Sequence, residues 1–242
     1  MKRMTGEDNF IYLTLSLILL LLGMALAQQF LDGSAQRLMQ SATVVTLLVA
    51  VWGAENEKSV LRKGLVFPLA IIATALFSYY LDNLDLNYTH LFLMLIFFIS
   101  TAKQTGKQVL FTGAVDGNKI LGAICLFILV GLIWALLYTL SHLLFDGAFN
   151  GVDNTADWFL VLPDYVYFSF VTLTTLGYGD IAPALPLTRF FVYMEAMIGQ
   201  FYLAILVASM VGSRITTEQQ HPHIENKNNH SQADTKKDKT RE

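Results

Sequence analysis

The chain is 242 residues long, 54% of them hydrophobic and only 14% charged, with a formal net charge of −3. A soluble domain carries about 25% charged residues, so this composition excludes an ordinary soluble globular protein, and the small net charge gives no signature of nucleic-acid binding. The apolar residues do not scatter over one compact core but fall into long runs.

A helix that crosses the hydrocarbon of a bilayer needs about 20 apolar residues, and six runs are read as spanning helices. The first, Phe10–Ala27, follows "MKR" and ends in "ALA", which resembles a cleavable signal peptide. Its length, with Glu7 and Asp8 just before it, makes a retained helix the expectation. Met39–Ala54 and Gly64–Leu81 are the second and third spans, and Tyr88–Ala102 is the fourth. Ile120–Leu144 is the fifth. It contains Cys125, the single cysteine, read as a small buried hydrophobe. Leu187–Ser213 is the sixth.

All but Arg37 and Arg189 of the 16 basic residues fall in the N-terminus, the second-to-third and fourth-to-fifth connections and the tail. The opposite loops carry Asp32, Asp82, Asp85, Asp146, Asp153 and Asp157. Basic residues favour the cytoplasmic side, so both termini are expected there. The tail from Arg214 is too polar to fold alone and is expected to be disordered; its His221, His223 and His230 are read as solvated residues.

Between the fifth and sixth spans about 40 residues do not cross. "PDYVYFSFVTLTT", Pro163–Thr175, opens with a proline and an acidic residue suited to a helix start. It is too short to span, so a pore helix over Asp164–Thr174 is expected to enter and stop inside the membrane. Irregular backbone at that depth must be buried in protein or line a watery path. "TTLGYGD", Thr174–Asp180, is that backbone: Gly177 and Gly179 tolerate positive φ, and alternating handedness turns successive carbonyls one way. Rows of carbonyls from Thr175, Leu176, Gly177 and Tyr178, repeated around an axis, make oxygen cages that replace the hydration shell of potassium.

"TLTTLGYGD", Thr172–Asp180, resembles the selectivity-filter signature of tetrameric potassium channels, and the likeness extends over Lys119–Ser213. It implies an all-α membrane protein: six transmembrane helices, with a re-entrant pore helix and the filter Thr175–Gly179 between helices five and six, assembled as a homotetrameric pore. It implies potassium as the permeant ligand, no cofactor, no enzyme activity, and membrane lipids as the surroundings. The small single-filter chain suggests a prokaryotic inner membrane. Leu176 stands where the family often has valine. Val171 stands where some relatives carry a glutamate that pairs with the filter aspartate, so Asp180 lacks that partner and Tyr167 offers its hydroxyl instead. Thr174 and Asp180 flank the filter, and four copies of Asp180 at the outer mouth would raise the local cation concentration.

Gly199 follows Gly179 by 20 residues, where the family commonly has a hinge glycine; close packing on the pore helix is the competing role. Glu195 is an ionisable residue within a span, by default functional. It supports the pore helix from behind, the favoured reading over a charged ring facing the axis, or equally is a structural buried acid satisfied by Tyr or Thr neighbours. Residues 10–105 have the layout of a voltage sensor, but the fourth span lacks the arginines that carry gating charge. A potassium-selective channel that is not steeply voltage-gated is therefore expected, with a weakly selective cation channel or a non-conducting auxiliary or scaffold subunit as the alternatives.

Overall fold

The computed structural model describes residues 9–30, 87–111, 117–153 and 156–209. These form helices α1 (Asn9–Phe30), α2 (Asn87–Phe111), α3 (Gly117–Leu144), α4 (Trp158–Leu173) and α5 (Pro186–Ser209), with short strands β1 (Phe149–Asn150) and β2 (Ala182–Pro183). The spans expected at 39–54 and 64–81 and the tail from Arg214 lie outside the described residues.

Among the described residues, three stretches are long and apolar enough to cross a membrane: Phe10–Phe30, Lys119–Leu144 and Pro186–Ser209. The expected fourth span lies within α2, which continues to Phe111 through the polar residues Lys103, Gln104, Lys107 and Gln108.

The core centres on α3, which is apolar on every side and packs against α1, α2 and α4. A helix with no polar face belongs in a protein or membrane interior. The directions of its neighbours follow from three hydrogen bonds. Thr14 Oγ1 donates to the Leu121 carbonyl (3.4 Å) near the starts of α1 and α3. Gln28 Nε2 donates to Asp164 Oδ1 (2.8 Å) near the end of α1, and the next residue, Tyr165, packs against His142 near the end of α3, so α1 runs parallel to α3. The Tyr88 hydroxyl donates to the Leu143 carbonyl (3.2 Å), so α2 runs antiparallel. The end of α1 and the start of α2 thus lie at the same end of the bundle.

Helix α4 starts at Trp158, earlier than the expected Asp164. Its first turns bury Trp158, Phe159, Val161 and Leu162 in the core, so apolar burial sets the start and Pro163 falls inside. There the proline ring suits helical φ but removes one donor from the ladder. The helix is seated by an aromatic box joining three elements. Ring centroids are 5.4 Å apart for Tyr138–Phe149, 5.0 Å for Phe149–Tyr165 and 5.2 Å for Tyr138–Phe168. Such pairs add about 0.5–1.5 kcal/mol each beyond their buried area.

Strands β1 and β2 pair antiparallel, Phe149 opposite Pro183 and Asn150 opposite Ala182. The Ala184 amide and Thr188 Oγ1 both donate to the Ala148 carbonyl, at 3.0 Å each. The segment before the pore helix is thereby fixed to the segment after the heptad.

Candidate functional site

Helix α4 stops at Leu173 inside the bundle, and its last carbonyls take donors from the chain that follows. Thr174 N–H and Oγ1 donate to the Phe170 carbonyl at 3.1 and 2.6 Å, and Thr175 N–H donates to Thr172 at 2.9 Å. The Leu176 and Gly177 amides both reach the Val171 carbonyl, at 2.9 and 3.3 Å. The heptad is thus anchored to the end of its own helix, where carbonyls lack intrahelical partners.

The backbone then alternates. Thr175, Gly177 and Gly179 have φ of 59°, 57° and 82°, while Leu176 and Tyr178 between them remain at negative φ. The two glycines adopt this at no steric cost. Thr175 does not: a β-branched residue in the left-handed region is strained and persists only where its surroundings over-determine it. All seven residues Thr174–Asp180 are exposed on the single chain, so the face that alternates is the open one.

Behind it, Glu195 of α5 is 0% exposed. It turns away from that open face, toward α3 and α4. The Tyr138 hydroxyl donates to its Oε2, and Ser169 Oγ lies 2.5 Å from its Oε1. Ser169 Oγ is also 2.7 Å from the Gly131 carbonyl. A hydroxyl has one proton to donate, so Ser169 serves two acceptors with a single hydrogen.

At the outer end the Tyr167 hydroxyl donates to Asp180 Oδ2 (2.7 Å). That bond holds the Asp180 carboxyl below its ordinary range, against the opposing effect of partial desolvation. At the inner end Gly199 is buried against the Leu173 carbonyl oxygen, which occupies the space a Cβ would need. This is close packing on the pore helix. The next residue, Gln200, donates from Nε2 to Thr175 Oγ1 (3.2 Å).

Of the residues singled out from the sequence, Tyr167 and Asp180 meet directly, and Glu195 and Gly199 both meet the pore-helix segment. Tyr138, Ser169, Gly131 and Gln200 escaped sequence reasoning. Ser169 carried a signal, as a polar residue between two phenylalanines in an apolar run, and Gln200 another, as an amide within a span. Tyr138 and Gly131 carried none that distinguishes them from other helix residues. Among the described residues no cluster of His, Cys, Asp or Glu is arranged to hold a metal ion.

Residues 124–215 match the family model described as Ion channel, a stretch covering most of α3, all of α4, the heptad and α5. The chain is also 43% identical over 58 residues to a two pore potassium channel c of Oryza sativa subsp. japonica, covering 24% of this chain and 12% of that protein. It is 44% identical over 48 residues to a two-pore potassium channel 5 of Arabidopsis thaliana, covering 20% and 12%. The likeness therefore spans about an eighth of either plant protein. No solved structure matches the chain. The family match and the two relatives support a pore-loop potassium channel family for this segment, as its motif suggests, and the apolar helices support a membrane protein.

Two predictions follow from the geometry. A glutamine at position 195 keeps the shape and brings an N–H to Ser169 Oγ, freeing Ser169 to donate to Gly131. Glu195→Gln should therefore leave the thermal stability of the detergent-solubilised protein near wild type. Glu195→Ala strands the buried Tyr138 hydroxyl at about 1–3 kcal/mol, while Ser169 keeps the Gly131 carbonyl as its acceptor, and should lower the thermal stability of the detergent-solubilised protein. Equal losses of stability in the two variants would show that the charge of Glu195, and not its hydrogen bonds to Tyr138 and Ser169, holds the junction.

The second concerns pH. Because the folded Asp180 titrates below its unfolded value, the Tyr167–Asp180 bond contributes fully above the ordinary aspartate range, about 3.9. It is lost only as pH falls through the depressed value. Tyr167→Phe should move the Asp180 titration, followed by its infrared carboxylate band, up toward the ordinary range. An unchanged titration would show that the hydroxyl does not set it.

Proposed function

We propose that this chain forms a potassium-selective channel, a homotetramer with its filter at Thr175–Gly179 and passive potassium flux as its activity. The observation that carries this reading is the alternation of φ at Thr175, Gly177 and Gly179, immediately after a helix that ends within the bundle. Backbone of that form serves neither helix nor sheet. At membrane depth it is tolerated where it lines a watery path, and rings of its carbonyls from Thr175, Leu176, Gly177 and Tyr178 substitute for potassium hydration. The names of the two plant relatives point to the same ion.

One chain supplies one such segment, so a ring requires several copies. The open face of the single chain is apolar: Tyr178, Leu187, Phe190, Phe201 and Ile205 are all exposed. Four copies around an axis would cover that face and leave membrane lipid around the outside. The reading places both termini in the cytoplasm of a prokaryotic cell, with 10–105 as a four-helix domain, 119–213 as the pore domain and 214–242 as a disordered tail. The shared end of the bundle at which α1 finishes and α2 begins is in keeping with two crossings between them. In this arrangement Asp180, Thr174, Tyr167 and Glu195 support the filter, and Gly199 is the point about which α5 bends.

Purified protein in liposomes should pass potassium far faster than sodium, read as the shift of reversal potential when one ion replaces the other. Equal permeation by the intact assembly would refute selectivity.

Opening should depend only weakly on voltage. Moving one charge through the field is worth about 2.3 kcal/mol per 100 mV. The basic residues of α2 flanking its apolar stretch, Lys103 and Lys107, lie toward its last turns rather than along it. The conductance–voltage relation in planar bilayers should be shallow, and a steep one would mean that gating charge resides elsewhere in the chain.

A further inference from the structure

We propose that Gln200 is a specificity-determining residue, which fixes the Thr175 hydroxyl at the inner entrance of the filter and so sets how well that entrance discriminates potassium from sodium. The inference rests on the channel reading above and assigns a role to a residue that reading does not use.

Position comes first. Helix α5 starts at the outer mouth, where Thr188 and Arg189 contact Ala148 and Pro183. At 1.5 Å per residue, Gln200 lies about 18 Å further in. That is close to mid-membrane, given hydrocarbon about 30 Å thick. Thr175 is the first residue of the alternating segment, its innermost end. Both residues are exposed on the open face of the single chain, the face that four copies would turn toward one another around the axis.

Chemistry comes next. A threonine hydroxyl has one proton and two lone pairs. Gln200 Nε2 occupies one lone pair at 3.2 Å, which leaves one lone pair and the O–H. With one lone pair engaged by a fixed donor, the hydroxyl cannot rotate freely, and the remaining lone pair keeps one direction. Without the donor the hydroxyl turns, and can present its proton rather than its oxygen to an arriving cation. The position needs such a constraint, because Thr175 is the β-branched residue held at φ 59°, where conformation is sustained by contacts rather than intrinsic preference.

A second contact makes the arrangement specific. Gly199, the preceding residue, is packed on the Leu173 carbonyl so closely that a side chain would not fit. Consecutive residues of α5 therefore grip the chain at two points two residues apart, Leu173 by its backbone and Thr175 by its side chain. The backbone contact sets the distance between α5 and the filter, and the glutamine reads that distance out at the hydroxyl.

The test compares full-length wild type, Gln200→Met, Thr175→Ser, Thr175→Val and the double variant Gln200→Met/Thr175→Val in liposomes. Potassium-to-sodium permeability is read from reversal potentials. Methionine matches the length and helix propensity of glutamine but donates no hydrogen bond. Gln200→Met should lower the permeability ratio by about threefold or more, the scale of one lost hydrogen bond. The same substitution should have no further effect once Thr175→Val has removed the hydroxyl, because coupled residues are non-additive. Thr175→Ser keeps the hydroxyl and should remain sensitive to Gln200→Met. An unchanged ratio in Gln200→Met, or equal losses with and without the Thr175 hydroxyl, would overturn the proposal while leaving the channel reading intact. A wild type that passes both ions equally would overturn the channel reading itself. If Gln200→Met fails to assemble, Gln200→Leu is measured in the same cycle; failure of both to assemble would show a structural role and overturn the proposal.

Discussion

A single buried carboxylate holds the outer half of the molecule together. Glu195 belongs to α5, Tyr138 to α3 and Ser169 to α4, and the three side chains meet where none is open to solvent. An acidic group in an apolar interior is costly unless its oxygens are satisfied, so the hydroxyls are not incidental neighbours. They come one from each of the other two helices, and satisfying the carboxylate requires all three helices to be in register. Ser169 extends the junction to the Gly131 carbonyl, a second point on α3. The position of the short helix α4 is set from behind by this junction and the aromatic box beside it.

The heptad depends on that support because it has little of its own. It contributes neither a helical ladder nor a sheet, and one of its residues sits in a backbone region its side chain disfavours. It is instead tied at successive levels. The amides of Leu176 and Gly177 hold to Val171, Asp180 holds to Tyr167, and Thr175 holds to Gln200. The first tether is backbone and tolerates most substitutions. The other two are side-chain bonds at the outer and inner ends, where the environment differs most.

How legible this was in the sequence depends on the kind of information each feature needs. The heptad and the spans at α1, α3 and α5 were readable because glycine spacing and apolar length are local properties. The start of α4 was misplaced because Pro163 and Asp164 give a strong local helix-start signal, whereas the actual start is set by burial of Trp158 and Phe159 against other elements. The Tyr167–Asp180 contact was within reach, since the missing acidic partner at Val171 poses the question of what replaces it. The two readings of Gly199 could not be separated locally; its contact with Leu173 links residues far apart in sequence. Gln200 and Tyr138 have the same difficulty in stronger form, as polar atoms on apolar helices whose partners appear only when the helices are docked.

The contacts along α5 are unevenly distributed, and this bears on how such a helix moves. Its outer part is fixed by Thr188 to Ala148, by Arg189 to Pro183 and by Glu195 to both neighbouring helices. Gly199 and Gln200 close this region against Leu173 and Thr175. Further in, the Tyr202 hydroxyl donates to the Ala123 carbonyl (2.5 Å), with its ring 5.7 Å from Phe127, and the residues from Leu203 to Ser209 are mostly exposed on the single chain. Inward of the Glu195 junction, Gly199 is the residue whose lack of a side chain lowers the cost of bending. The same missing Cβ lets α5 approach the Leu173 carbonyl. The adjacent Gln200 carries that contact on to the Thr175 hydroxyl.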